Sequence, residues 1–224
     1  MKFLSVLMLG LLMVFAFTGL QNVSADQGDE DFKTGMKYCN GDGVTQDYAE
    51  ALKWFQKAAD KGYADAQQHI GEMYEFGWVR SPSGTDKDTE ALKWYQKAAD
   101  KGLAVSQREV GYMYAEGKGV TQDYAKAIKW YQKAADQGDV NAQLTLGYMY
   151  DNGKGVTQNN SEALKWYQKA ADKGDSYAQL RIARMYDNGE GVAQNNSEAL
   201  KWYRKAAEQG NEAARQAMED IESR

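Results

Sequence analysis

The chain predicts an all-α fold: a solenoid of five helix–turn–helix hairpins closed by a C-terminal capping helix. Three observations carry that expectation. A tryptophan recurs at Trp54, Trp94, Trp130, Trp166 and Trp202, at steps of 40, 36, 36 and 36 residues. Each lies in nearly the same string, A-L-K-W-Y-Q-K-A-A-D-K-G, with small changes. Paired glycines then break the helical apolar spacing in every unit but the second, as in Asn152-Gly153-Lys154-Gly155. Self-similarity at one period marks stacked units, because a single hairpin cannot bury its own apolar stripe.

The unit from Asn141 to Gly174 illustrates the others. Ala142, Leu146, Met149 and Tyr150 carry the helical spacing of a first helix over Ala142 to Asp151. The glycine pair ends it by supplying positive backbone dihedrals. A second helix starts near Asn159, a good N-cap, with Glu162 three residues on in capping-box position. It runs through Ala163, Leu164, Trp166, Tyr167 and Ala170 to Gly174. Asp47 with Glu50 and Asn195 with Glu198 repeat the cap, whereas Asp123 is followed by Lys126 and lacks the reciprocal partner. The units span about 29–62, 63–102, 103–138, 139–174 and 175–210, and the cap 211–224. The first is atypical, with Lys37 in place of the usual methionine, as expected of a terminal unit. The final helix, Glu212 to Glu222, is highly charged, which suits a solvated outer face.

Residues 1–25 are of another kind. Lys2 precedes a mostly apolar run from Phe3 to Leu20, and Val23-Ser24-Ala25 places small residues at a cleavage distance. This reads as a secretory signal, with a membrane anchor as the alternative. No cysteine lies near the cut, so a lipid-anchored form is not expected. Cleavage leaves residues 26–224, destined for the periplasm or secretion and free of the membrane. Losing Lys2 leaves 26 basic against 32 acidic residues, a net charge of −6. An evenly acidic chain repels phosphate backbones and anionic lipid, which excludes nucleic acid as the expected partner.

Cys39 is the only cysteine and His69 the only histidine. A lone thiol cannot staple the chain to itself; it is either tolerated or available for an intermolecular disulfide. A single histidine removes most metal sites and most histidine-based catalysis, so neither metal nor cofactor is expected. The turns G-K-G-V and G-E-G-V are structural, and no nucleophile–base–carboxylate set can be assembled. The Asn159-Asn160-Ser161 and Asn195-Asn196-Ser197 sequons follow from the repeat template.

L-G-Y-M-Y-D-N-G-K-G-V over Leu146 to Val156, followed by A-L-K-W-Y-Q-K-A-A-D-K-G over Ala163 to Gly174, resembles the Sel-1-like repeat family, which is related to tetratricopeptide repeats. The resemblance covers about residues 30–224. It implies a right-handed α-solenoid whose first helices line a concave surface, and a non-enzymatic adaptor role; many bacterial members are exported. The disulfide pairs of the cysteine-rich branch are missing, so that branch's suggested penicillin-binding activity does not carry over.

Comparing the repeats with one another locates a candidate site. In the second unit Ala66, Gln67, Ile70, Gly71, Met73 and Tyr74 are nearly constant across repeats, whereas Asp65, Gln68, His69, Glu72, Glu75 and Phe76 vary. At about 100° per residue the two sets occupy opposite arcs of the first helix. The constant arc is expected to pack and the varying arc to face outward, as a recognition groove or as a drifting solvated face. Along the stack the varying arc offers Asp65, His69, Glu72, Phe76, Glu109 and Glu116, then Tyr112 and Tyr148 with Leu144 at the edge, then Arg181 and Arg184 with Arg215 nearby. Tyrosine and arginine are the usual interface anchors. The loop from Gly77 to Asp86 is four residues longer than its counterparts; it either folds Trp78 back onto the stack or projects Trp78 and Arg80 as contacts.

These features point to a monomeric module that binds a protein or peptide in its groove. An immunity protein that neutralises a secreted effector such as a lipase is the alternative. An enzyme acting on peptidoglycan or β-lactams is the third possibility.

Overall fold

The computed structural model describes residues 28–82 and 84–223; the expected signal at 1–25 lies outside them. The described residues are helical and contain no strand. The helices are α1 (28–40), α2 (Tyr48–Asp60), α3 (Ala64–Glu75), α4 (Lys87–Asp100), α5 (Ala104–Glu116), α6 (Tyr124–Asp136), α7 (Val140–Asn152), α8 (Asn160–Asp172), α9 (Ser176–Asn188), α10 (Asn196–Glu208) and α11 (Glu212–Glu222). They fall into two compact units, Met1–Leu103 with α1–α4 and Ala104–Arg224 with α5–α11. Within each unit, helices consecutive in sequence pack on one another.

The hairpin is held by one recurring contact. In each second helix the residue after the repeat tryptophan is an aromatic ring: Phe55, Tyr95, Tyr131, Tyr167 or Tyr203. These rings are 0–4 % exposed. The first four lie against the bare backbone of Gly35, Gly71, Gly111 and Gly147, where an added Cβ would come within 2.6–2.9 Å of a ring carbon. Glycine is therefore required there by close approach, and Ala183 takes that position in the last repeat, opposite Tyr203. Alanine pairs such as Ala134-Ala135 and Ala170-Ala171 are buried beside the rings, so the helix axes can come close.

The other face of each second helix is equally repetitive. A lysine three residues after each tryptophan (Lys57, Lys97, Lys133, Lys169, Lys205) sits 3.6–3.9 Å from the indole centroid. This cation–π contact covers indoles that are half-buried at Trp54, Trp94 and Trp130 and buried at Trp166 and Trp202.

The ends of the elements follow their residues. Asp47, Asp123, Asn159 and Asn195 each accept a hydrogen bond from the backbone N–H three residues on, at 2.9–3.0 Å. The reciprocal half expected of a capping box is replaced. The Asn159 N–H donates to the Tyr150 carbonyl, while Glu162 pairs with Lys165 at 2.7 Å. Glu50, Glu90 and Glu198 likewise pair with Lys53, Lys93 and Lys201. Gly153 and Gly189 close α7 and α9 in the left-handed conformation, at φ 65° and 73°.

The Gly147→Ala variant tests the ring seat. A methyl group forced against Tyr167 costs about 1–3 kcal/mol of overpacking. The gain in helix propensity, about 1 kcal/mol, works in the opposite direction. A net loss of stability is expected in equilibrium urea unfolding; unchanged or increased stability would show that the ring is free to yield.

Candidate interaction face

The six constant positions of α3, Ala66, Gln67, Ile70, Gly71, Met73 and Tyr74, are its six buried positions. The varying positions of α3 are exposed or half-buried. The separation of arcs is thus a physical one: packing holds one side of the first helix and leaves the other open.

In the first unit the varying residues have unequal freedom. Asp65 is exposed. His69 is held between aromatic rings, with centroids 5.4 Å from Phe32 and 5.5 Å from Phe55. Its Nδ1 lies 2.7 Å from Glu72 Oε2, and Gln68 donates to the other carboxylate oxygen at 2.9 Å. Burial pushes the Glu72 carboxyl up, but the hydrogen bonds from His69 and Gln68 outweigh it and hold the group below the usual carboxylate range. His69 and Glu72 therefore form part of the repeat's own structure. Phe76 is 61 % exposed. Trp78 stacks on Tyr48 at 5.1 Å, lies 5.3 Å from the Phe76 ring and remains 42 % exposed, so the long loop folds back without burying the indole. Arg80 is exposed on the same loop.

The second unit brings four of the sequence-predicted residues to one place. Glu109, Tyr112 and Glu116 on α5 and Tyr148 on α7 border a cleft made of two adjoining cavities of about 230 and 50 Å³. Arg108, Asn141, Ala115, Tyr124, Met149 and Lys154 complete its lining together with Thr145 and Tyr131 of α6, which border both cavities. The rim charges are paired: Arg108 with Glu109 at 2.7 Å and Asp139 at 3.3 Å, Lys154 with Glu116 at 3.7 Å. Tyr112, Tyr148 and Arg184 occupy the same register position on α5, α7 and α9, and all three are exposed. Arg184 makes no ion pair among the described residues.

Arg181 is placed differently from the open groove cation that the sequence suggests. Its guanidinium pairs with the buried carboxylate of Asp151, which also accepts the Tyr167 hydroxyl at 3.3 Å. The pair ties α9 to α7 across successive repeats, and removing either partner would strand a buried charge. Arg215 is engaged by Glu212 at 2.7 Å on its own helix.

Sequence reasoning missed Tyr131, Thr145 and Arg108 as cleft residues. A signal existed: Ala115 stands where Glu75, Asp151 and Asp187 stand in other repeats, although Tyr131 is retained.

The comparisons with known proteins bear on this geometry. The Sel1 repeat matches residues 32–63, 64–103, 104–139, 140–175 and 176–211, most of the chain. The chain belongs to the Sel1 repeat family. Among solved structures, it is similar to a protective antigen present in uropathogenic Escherichia coli strains displaying an SLR fold, with 42 % identity and a TM-score of 0.80. That match covers 87 % of this chain and 41 % of the antigen, so the chain spans about two fifths of its length. It is also similar to a Sel1 repeat protein from Oxalobacter formigenes, with 34 % identity and a TM-score of 0.72, over 88 % of this chain and 77 % of that one. No curated protein matches the chain.

The shift of Glu72 fixes a pH dependence. Its folded carboxyl is held low, so the stabilisation is present above the ordinary carboxylate range and is lost as pH falls through the folded value. Between about pH 5 and about pH 3 the parent chain should lose more stability than Glu72→Gln, as measured by urea unfolding at each pH. Parallel losses would remove the assignment.

Proposed function

We propose that this protein is a non-enzymatic binding module that takes a segment of a protein partner across the first-helix face of its second unit. The observation that carries this reading is the register of Tyr112, Tyr148 and Arg184 beside the Tyr131 cleft. Three anchor-type side chains at one repeat position stand open on α5, α7 and α9, while their neighbours are packed. Tyrosine supplies contact area at a low cost in side-chain entropy, and arginine supplies directional donors. Among the described residues there is no grouping of metal-binding side chains. The acids near the cleft are paired with cations, an arrangement suited to a contact rim.

We further propose that the module acts outside the cytoplasm. The apolar run and small-residue site of residues 1–25 support export. The likeness to a protein described as a protective antigen supports the same location, since such an antigen has to be met by its host's immune system. Service as an immunity protein would use the same face, with a secreted effector as the bound partner.

The test is affinity capture from envelope and culture fractions with residues 26–224 as bait. Arg184→Glu is expected to reduce recovery of the partner about tenfold, whereas Lys165→Glu on the exposed face of α8 should change it less than about twofold. Equal losses from the two substitutions would remove the assignment of the face. Turnover of peptidoglycan or a β-lactam by the purified chain would overturn the non-enzymatic reading.

A further inference from the structure

The third repeat departs from the others at its buried tyrosine. In the second, fourth and fifth repeats the ring hydroxyl donates to a carboxylate four residues after the packing position of the first helix. These bonds are Tyr95 to Glu75 at 2.7 Å, Tyr167 to Asp151 at 3.3 Å and Tyr203 to Asp187 at 3.5 Å. The first repeat has Cys39 in the acid position and matches it with Phe55, a ring without a hydroxyl. The third keeps the hydroxyl and drops the acid: Tyr131 is 4 % exposed and faces Ala115. Its hydroxyl has no hydrogen-bond partner among the described residues and opens onto both cavities of the cleft. That oxygen is not among the buried side-chain atoms left without a partner, so water reaches it and the donor is open to a ligand from the cleft.

The shape of the cleft has the same origin. Where the fourth repeat fills the space with Asp151 and the Arg181 that reaches it from the next repeat, the third has Ala115 and Thr145 at the same positions. The two small side chains leave the cavity of about 50 Å³ that Met149, Tyr124 and Tyr148 enclose. That is more room than one water needs, and the wall made by Ala115, Met149 and the tyrosine rings suits a methyl or isopropyl group, with Glu116 and Lys154 at its edge.

We infer that this cleft is a subsite for an uncharged stretch of partner backbone, with a peptide carbonyl accepting the Tyr131 hydroxyl and a small apolar side chain seated against Ala115 and Met149. The inference rests on the binding-module reading above and specifies what that module holds. Charge decides between a carbonyl and a carboxylate. Glu109 and Glu116 outweigh Arg108 at the Tyr131 oxygen; Arg108 and Lys154 on the rim already face acids, and Lys118 lies over the Tyr112 ring at 4.8 Å. An incoming carboxylate would meet two like charges with no uncommitted cation to offset them, whereas a neutral carbonyl takes the hydrogen bond without that repulsion. Thr145 already donates to the Asn141 carbonyl, which leaves Tyr131 as the hydroxyl donor that borders both cavities.

The test uses the full chain and N-acetylalanine methylamide as the probe, followed through the methyl resonances of Met149 and Thr145. Saturable shifts are expected with the parent chain. Tyr131→Phe should weaken binding about fivefold, the loss of one neutral hydrogen bond. Ala115→Asp restores the acid of the neighbouring repeats and fills the cavity, so it should abolish the shifts while the thermal transition is retained. N-acetylglutamate methylamide should bind at least about fivefold more weakly than the alanine compound. Unchanged binding in both variants, or preference for the anionic compound, would overturn the subsite. Absence of shifts with a captured partner still lost in Arg184→Glu would overturn the subsite alone and leave the module reading standing. Absence of shifts with no difference between Arg184→Glu and Lys165→Glu would remove both.

Discussion

The structure depends on an aromatic ring seated on a backbone that carries no side chain. Phe55, Tyr95, Tyr131 and Tyr167 can reach their depth only because Gly35, Gly71, Gly111 and Gly147 present bare helix at the contact. Once that contact exists, the alanine pairs beside it set the helix spacing and the tryptophan–lysine contacts cover what remains open. Almost every position of the second helix is then committed to the ring, the alanines, the indole and its lysine, or a glutamate–lysine pair. This explains why the second helices barely differ between repeats on any face. Variation is confined to one arc of the first helix, and that arc is what a partner can meet.

The same contact shapes the polar chemistry. A ring placed this deep carries its hydroxyl one turn along the same face of the first helix, where a carboxylate four residues after the glycine can accept it. Asp151 does so and also holds Arg181, which makes the polar group a tie between repeats. The first repeat avoids the requirement by using phenylalanine. The third keeps the tyrosine with no acid, and this makes its cleft different in kind from its neighbours. Two departures from the neighbouring repeat, Ala115 and Thr145, thus account for the space, and the missing acid at Ala115 for the open hydroxyl.

Much of the fold was legible because the repeats serve as their own comparison. Residues constant between repeats, such as Ile70, Gly71 and Met73, are constant because each packs against the same neighbour. Exposure of Tyr112, Tyr148 and Arg184 follows from the same logic. What could not be read was pairing between varying residues. His69 and Arg181 both vary, yet His69 lies between Phe32 and Phe55, and Arg181 reaches back to Asp151 thirty residues earlier. Such partners lie in adjacent repeats, so spacing within one repeat carries no trace of them. The cleft was missed for a related reason: it is made by small residues, and a side chain's absence leaves no motif. Trp78 folds back onto Tyr48 beside Phe76 while staying partly exposed, a contact between residues of two repeats that spacing does not show.

The most direct measurement is chemical labelling of tyrosines in the folded chain, for instance nitration located by mass spectrometry. If rings on the second helices are seated on glycine backbone and those of the first-helix arc stand outward, Tyr112, Tyr148 and Tyr177 should be modified. Tyr95, Tyr167 and Tyr203 should then stay unmodified until the chain unfolds. Modification of the second group at a rate similar to the first, under native conditions, would contradict the account.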